Sequence, residues 1–297
     1  MTSTPHQPSR ARAHLALARL SNSPTVVSNA LAGAALAGAL SAARAPTALG
    51  ALVILSAAMV LFYTAGMYLN DLFDLEHDRR ERPERPLPAG AVSRREALTA
   101  TVLLFAAGTF LLSLLGAAPL ASGLVLLALI VLYDAWHKTN PLSPLLMAAT
   151  RAMVYVTAFL ALRPTVPPDG MVARMVLWAL LLGLYIVGLT TIAKTETRTL
   201  TGYWPAALLF LPILFAAPLL PWTLLWLPLA FALWLAYSLS FVYAPARQVG
   251  RATAQLIAGV SLLDALVLGL FGTLGGVWAA LVAFGATLAL QRYIRGT

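Results

Sequence analysis

The chain has 297 residues, of which 60% are hydrophobic and 10% charged, and it contains no cysteine. A mean hydropathy of +0.82 lies outside the range of soluble domains and points to a polytopic membrane protein, while the lack of cysteine excludes disulfides, thiolate metal sites and thiol catalysis. The formal charge of +9 would suit nucleic acid, but the basic residues are spread over short connectors between apolar segments, a pattern that positive-inside topology explains better than a nucleic-acid partner.

Residues 1–21, with Pro5, Pro8, Arg10, Arg12 and Arg19, lack the compact pattern of a signal peptide and read as a cytoplasmic tail, followed by a single transmembrane domain over 22–297. Apolar segments of about 17 to 25 residues are long enough to span a bilayer. They recur at roughly 25–43, 48–70, 95–116, 119–136, 142–162, 172–193, 203–219, 221–243, 252–272 and 275–292. The segment 203–219 is interrupted by Pro205, Pro212 and Pro218, so nine or ten spans are expected. The fold expected is all-α, a transmembrane helical bundle around a central cavity open to the cytoplasmic side and laterally to lipid. In the first span, Ala32, Gly33, Ala35, Ala37 and Gly38 suit close helix packing.

Lys and Arg fall on alternate connectors. One side holds Arg10, Arg12, Arg19, Arg79, Arg80, Arg82, Arg85, Arg94, Arg95, Lys138, Lys194, Arg198, Arg247, Arg251, Arg292 and Arg295, the other only Arg44, Arg163 and Arg174. The positive-inside rule then puts both termini, and the polar connectors 71–95, 134–144 and 194–202, on the cytoplasmic face of a plasma membrane, that of a bacterium on this reading.

The apolar run 51–69 ends in Asn70-Asp71-Leu72-Phe73-Asp74-Leu75-Glu76-His77-Asp78. On a helix Asp71, Asp74 and Asp78 share one face. Like charges so arranged need a counter-cation, and oxygen-only ligands suit Mg²⁺ bridging to a phosphorylated substrate. Seven of the eleven acids, Asp71, Asp74, Glu76, Asp78, Glu81, Glu84 and Glu96, lie in this one connector, which topology alone does not require. The alternative is a solvated helix end paired with the arginines that follow. Asp134 and Lys138, four residues apart, could form an ion pair. Arg151 lies inside an apolar segment with Tyr155 one turn later. An arginine in hydrocarbon costs about 3 kcal/mol on insertion scales, so it should face either an anionic substrate group or a structural partner such as Asp134. Asp264 and Asn29 read as polar packing contacts.

The pattern NDxxDxxxD followed by Arg82-Pro83-Glu84-Arg85-Pro86-Leu87-Pro88-Ala89-Gly90 resembles the first Asp-rich motif of the UbiA superfamily of intramembrane prenyltransferases. The resemblance implies that Asp71, Asp74 and Asp78 hold Mg²⁺ on a polyprenyl diphosphate, with Asn70 in the same set and Arg82 and Arg85 on the diphosphate. It places Lys138 beside the diphosphate as well. The implied partners are a polyprenyl diphosphate, a small acceptor and membrane lipid. The tract Tyr133-Asp134-Ala135-Trp136-His137-Lys138, the later Asn140-Pro141-Leu142-Ser143-Pro144-Leu145 and an eroded second motif are most similar to the EboC-like branch.

That second motif, expected to be acidic, reads Ile192-Ala193-Lys194-Thr195-Glu196-Thr197-Arg198-Thr199. Glu196 is the remaining carboxylate and candidate metal ligand. Lys194 and Arg198 could stand in for a metal in neutralising the diphosphate, or mark a site that binds a phosphorylated lipid without ionising it. The expected reaction is ionisation of an allylic diphosphate and capture of the carbocation by the acceptor. A non-catalytic carrier on the same fold is the rival. A transporter is a third option, less suited because its ionisable residues would be expected near mid-membrane.

Overall fold

The computed structural model describes residues 10–41, 43–138, 140–196 and 202–294. Among these residues there are eleven α-helices and no strand: α1 Arg10–Leu17, α2 Ser23–Leu36, α3 Ala45–Glu81, α4 Arg94–Ser113, α5 Ala117–Trp136, α6 Ser143–Leu162, α7 Met171–Ala193, α8 Trp204–Ala216, α9 Trp226–Tyr243, α10 Val249–Phe271 and α11 Leu274–Tyr293.

Helices α2 to α11 occupy the ten apolar segments, and eight of them are long and apolar enough to cross a membrane. The exceptions are α2 and α8. Hydropathy carries the first segment on to residue 43, but α2 stops at Leu36 because Gly38 adopts a left-handed φ of 66°. The Ala39 amide then bonds the Ala34 carbonyl and the Gly38 amide that of Ala35, both at 2.9 Å, a glycine-terminated Schellman end. Helix α8 contains Pro212 and ends before Pro218.

Helix α3 runs 37 residues without a break, about 55 Å at the helical rise. That exceeds the roughly 30 Å of a hydrocarbon core, so Asn70 to Glu81 continue as helix beyond the apolar run and project their carboxylates along a regular face. Pro83, Pro86 and Pro88 prevent further extension, and the chain restarts at α4 with a capping box between Ser93 and Glu96.

At the centre stand α7 and α10, whose apolar windows are 61% and 67% buried, against 22–39% for the other spanning helices. Packing is close where side chains vanish: a Cβ on Gly33 would lie 2.5 Å from the Ala158 Cβ, so α2 and α6 touch at that point. Between α2, α6 and α10, the buried Asp264 carboxylate accepts from the Tyr155 hydroxyl at 2.6 Å and from Asn29 Nδ2 at 2.9 and 2.8 Å, with Ser28 beside it. A second, smaller apolar cluster lies at the polar end. There Ala13 and Leu17 of α1 pack with Tyr68, Leu75, Leu87, Val92 and Ala97, within the stretch expected from sequence to be a tail.

Candidate active site

A cavity of about 510 Å³ runs between α2, α3, α5, α6, α7 and α10. Its deep end is apolar: Val26, Met59, Phe62, Leu126, Val154 and Val260 all face it and are 6% exposed or less. Its mouth is charged, lined by Arg19, Asn70, Asp74, Asp78, Arg82, Arg85, Asp134, His137, Lys138 and Glu196.

The helical period puts Asp71, Asp74 and Asp78 on one face of α3, and all three are buried. Burying three carboxylates is tolerable only with cations beside them. Arg19 Nη2 donates to Asp71 Oδ1 at 3.0 Å and to Asn70 Oδ1 at 3.3 Å. Lys138 Nζ lies 2.7 Å from Asp74 Oδ1, an ion pair outside hydrogen-bond geometry, with His137 Nε2 at 3.6 Å. Arg85 Nη1 donates to Asp78 Oδ2 at 2.7 Å and stands 3.9 Å from Asp71. Across the mouth Arg82 lies 3.8 Å from Glu196.

The neighbours of Lys138 and Asp134 differ from those their spacing suggests. Lys138 turns to Asp74, while Asp134 Oδ1 accepts from Asn70 Nδ2 at 3.0 Å and its Oδ2 is buried without a partner. Of the other candidates, Arg151 lines the cavity and donates to Thr25 Oγ1 at 2.5 Å, not to Asp134. Tyr155 does not line it; it is 0% exposed and spends its hydroxyl on Asp264. Asp71 likewise sits behind the lining, held by its arginines. Lys194 bonds Ser143 Oγ and, at 3.4 Å, the Asn140 carbonyl, and it is not among the cavity-lining residues. Arg198 lies outside the described residues.

Arg19 is the site residue that sequence reasoning assigned only to topology. Its backbone is left-handed, with φ 41° and ψ 44°, the single non-glycine with positive φ among the described residues. Such strain persists only where the surroundings fix it. Here the Tyr63 hydroxyl donates to its carbonyl at 3.2 Å, and α1, anchored through the His14–Tyr68 contact at 2.8 Å, delivers it to the acids. Burial works against the Arg19 cation, but Asp71, joined by Tyr63 and Asp74, outweighs it and holds its pKa above the ordinary value.

The donor set suits a hard divalent cation. Its acids offer oxygen donors, and a buried carboxylate oxygen of Asp134 is left without a partner at the cavity wall. Among the described residues no three acids or histidines already converge on one point, so a metal here would need oxygens from a ligand to complete its shell.

An all-helical, multi-pass bundle of apolar helices, with a buried acid–base cluster at the mouth of a largely apolar cavity, defines an integral membrane protein. Residues 31–255 match the model of the UbiA prenyltransferase family, and the chain belongs to that family. It is 36% identical over 128 residues to the digeranylgeranylglyceryl phosphate synthase of Methanothrix thermoacetophila, covering 43% of this chain and 46% of that one. It is 38% identical over 129 residues to the synthase of that name from Thermococcus gammatolerans, covering 41% and 46%. The chain thus spans about half the length of the curated relatives it matches. Among solved structures, one from work on digeranylgeranylglyceryl phosphate synthase superposes with a TM-score of 0.61 at 18% identity, covering 88% of this chain and 99% of that one. A UbiA homologue from Archaeoglobus fulgidus bound to GPP and Mg²⁺ superposes with a TM-score of 0.52 at 14% identity, covering 94% and 99%. Likeness at this level of identity shows the fold.

Proposed function

We propose that the chain is an intramembrane prenyltransferase that binds an allylic polyprenyl diphosphate with Mg²⁺ and transfers the prenyl group to an acceptor. The observation that carries the reading is the pairing of Asp71, Asp74 and Asp78 with Arg19, Lys138 and Arg85 at the charged mouth of a cavity whose far end is apolar. A charged head at the mouth and a hydrocarbon tail in the chamber match that polarity. Membership of the UbiA prenyltransferase family, relatives named digeranylgeranylglyceryl phosphate synthase and a solved homologue bound to GPP and Mg²⁺ support the same assignment. The positive-inside pattern supports a cytoplasmic mouth in a plasma membrane.

Asp74, Asp78 and Asp134 would hold the metal, with Asp71 and Asn70 behind them. When bound, Mg²⁺ supplies positive charge to the diphosphate oxygens. Arg82, Arg85 and Lys138 point their donors into the same mouth, where they offset charge that accumulates on the departing pyrophosphate. The apolar wall excludes water from the allylic carbon. Purified protein given labelled allylic diphosphate, Mg²⁺ and an acceptor panel should release pyrophosphate, and Asp71→Asn and Asp74→Asn should abolish release. Release that survives both substitutions refutes the assignment.

One observation favours a second reading, a binder that does not turn over. Glu196 is the acid offered by the opposite wall, it is paired with Arg82, and Lys194 is directed to Ser143 and Asn140 and not into the cavity. Diphosphate binding without release across the acceptor panel would favour that reading.

A further inference from the structure

Away from the central cavity, an open groove lies at the polar end of the bundle, where α1 packs on the start of α4. Helix α1 contributes Arg10, and α4 contributes Arg95, Glu96, Thr99, Ala100 and Leu103. The helical period sets Arg95, Thr99 and Leu103 along one stripe, about 12 Å from first to last. The exposed Phe110 continues it two turns further on. Helix α4 has 20 residues, about 30 Å, the thickness of a hydrocarbon core. Its first turn therefore lies among lipid headgroups, and Leu103 lies among acyl chains.

The polar groups of this groove are poorly matched within the protein. Cations are disfavoured in the first turn of a helix, where the dipole is positive, yet α4 opens on Arg94 and Arg95. The acid of that turn is already committed: Glu96 Oε2 accepts from the Ser93 amide at 2.8 Å, and Oε1 accepts from Arg10 Nη2. Among the described residues no carboxylate lies within ion-pair distance of Arg95. Thr101 returns its hydroxyl to the Ala97 carbonyl at 2.9 Å, whereas Thr99 is exposed and makes no hydrogen bond among the described residues. A hydroxyl at the hydrocarbon edge has little water to satisfy it. Positive-inside topology accounts for arginines on this face. It does not account for an unpaired arginine set above an unbonded hydroxyl and an apolar stripe.

We propose that this groove binds one anionic membrane phospholipid. The Arg95 guanidinium and the remaining donors of Arg10 take the phosphate oxygens, the Thr99 hydroxyl donates to a glycerol ester carbonyl, and an acyl chain lies along Ala100, Leu103 and Phe110. The headgroup then joins α1 to α4, and α1 leads into Arg19, which meets Asp71. The groove shares no residue with the central cavity, so the proposal stands apart from the prenyl-diphosphate reading.

The test titrates lipid onto the full chain and reads the bound species by native mass spectrometry, with phosphatidylglycerol, phosphatidylcholine and glycerol phosphate as probes. The wild type should hold its first phosphatidylglycerol about five- to tenfold more tightly than phosphatidylcholine. Glycerol phosphate, which has the head but no tails, should not displace it. Arg95→Gln should weaken phosphatidylglycerol about fivefold, Arg95→Lys should recover part of that, and Thr99→Val should cost about twofold. Arg12→Gln removes the same charge from an exposed position of α1 outside the groove and should change affinity by less than about twofold. Thermal midpoints in phosphatidylcholine nanodiscs should match the wild type, which reports that the variants are folded. Equal losses for Arg95→Gln and Arg12→Gln overturn the proposal in favour of diffuse surface charge. Phosphatidylcholine held as tightly as phosphatidylglycerol, or displacement by glycerol phosphate, overturns it as well.

Discussion

Arg19→Ala and Arg19→Gly delete the same cation but relieve different amounts of backbone strain, so together they separate the two things Arg19 contributes. Removing one partner of a buried pair costs about 3–5 kcal/mol. Here the Arg19 side chain is 21% exposed and Asp71 keeps Arg85 at 3.9 Å, which reduces the expected loss to about 2 kcal/mol. The backbone at φ 41° favours glycine over alanine by about 1 kcal/mol once glycine's larger unfolded-state entropy is included. At roughly 2–4 °C per kcal/mol for a large domain, Arg19→Ala should lower the thermal midpoint by about 4–8 °C, and Arg19→Gly should recover about 2–4 °C of that. Midpoints in one detergent at one scan rate suffice, because only differences are used. Equal midpoints for the two variants would refute the strain argument. A wild-type midpoint for Arg19→Ala would refute the pairing with Asp71.

Lys138→Ala should weaken diphosphate affinity by about tenfold, since it strips the cation from Asp74 and one donor from the mouth; titration with a thio-diphosphate measures it. Gly33→Val should destabilise the bundle by about 2 kcal/mol or more, seen as a lower thermal midpoint, because its first added carbon would meet Ala158 Cβ at 2.5 Å. Phe62→Ala should extend the accepted prenyl tail by about one unit, read from competition between diphosphates of increasing length. Its ring lines the apolar part of the cavity and fits against α4 only because Gly108 has no side chain there.

The acids of α3 were legible in the sequence because their alignment depends only on the helical period, and the helix does continue through them to Glu81. The helical segments were legible for a similar reason, as each apolar run must close its own backbone hydrogen bonds. What the sequence did not disclose depends on contacts across the chain. Arg19 reaches Asp71 over 52 positions, and Asn70 reaches Asp134 over 64. Local spacing offered Lys138 an acid at Asp134, but Asp74 stands within 2.7 Å. Tyr155 follows Arg151 by one helical turn, yet its hydroxyl serves Asp264 in the core. The end of α2 at Leu36 was hidden because hydropathy does not register a left-handed glycine.

The most direct measurement is a structure with Mn²⁺ in place of Mg²⁺ and a non-cleavable allylic thio-diphosphate, using the anomalous signal to locate the metal. The account predicts a metal peak beside Asp74 and Asp78, the diphosphate within reach of Arg82, Arg85 and Lys138, and the tail directed past Tyr63 towards Phe62. A diphosphate bound elsewhere, or a tail lying at the acids with its head in the apolar chamber, would contradict it.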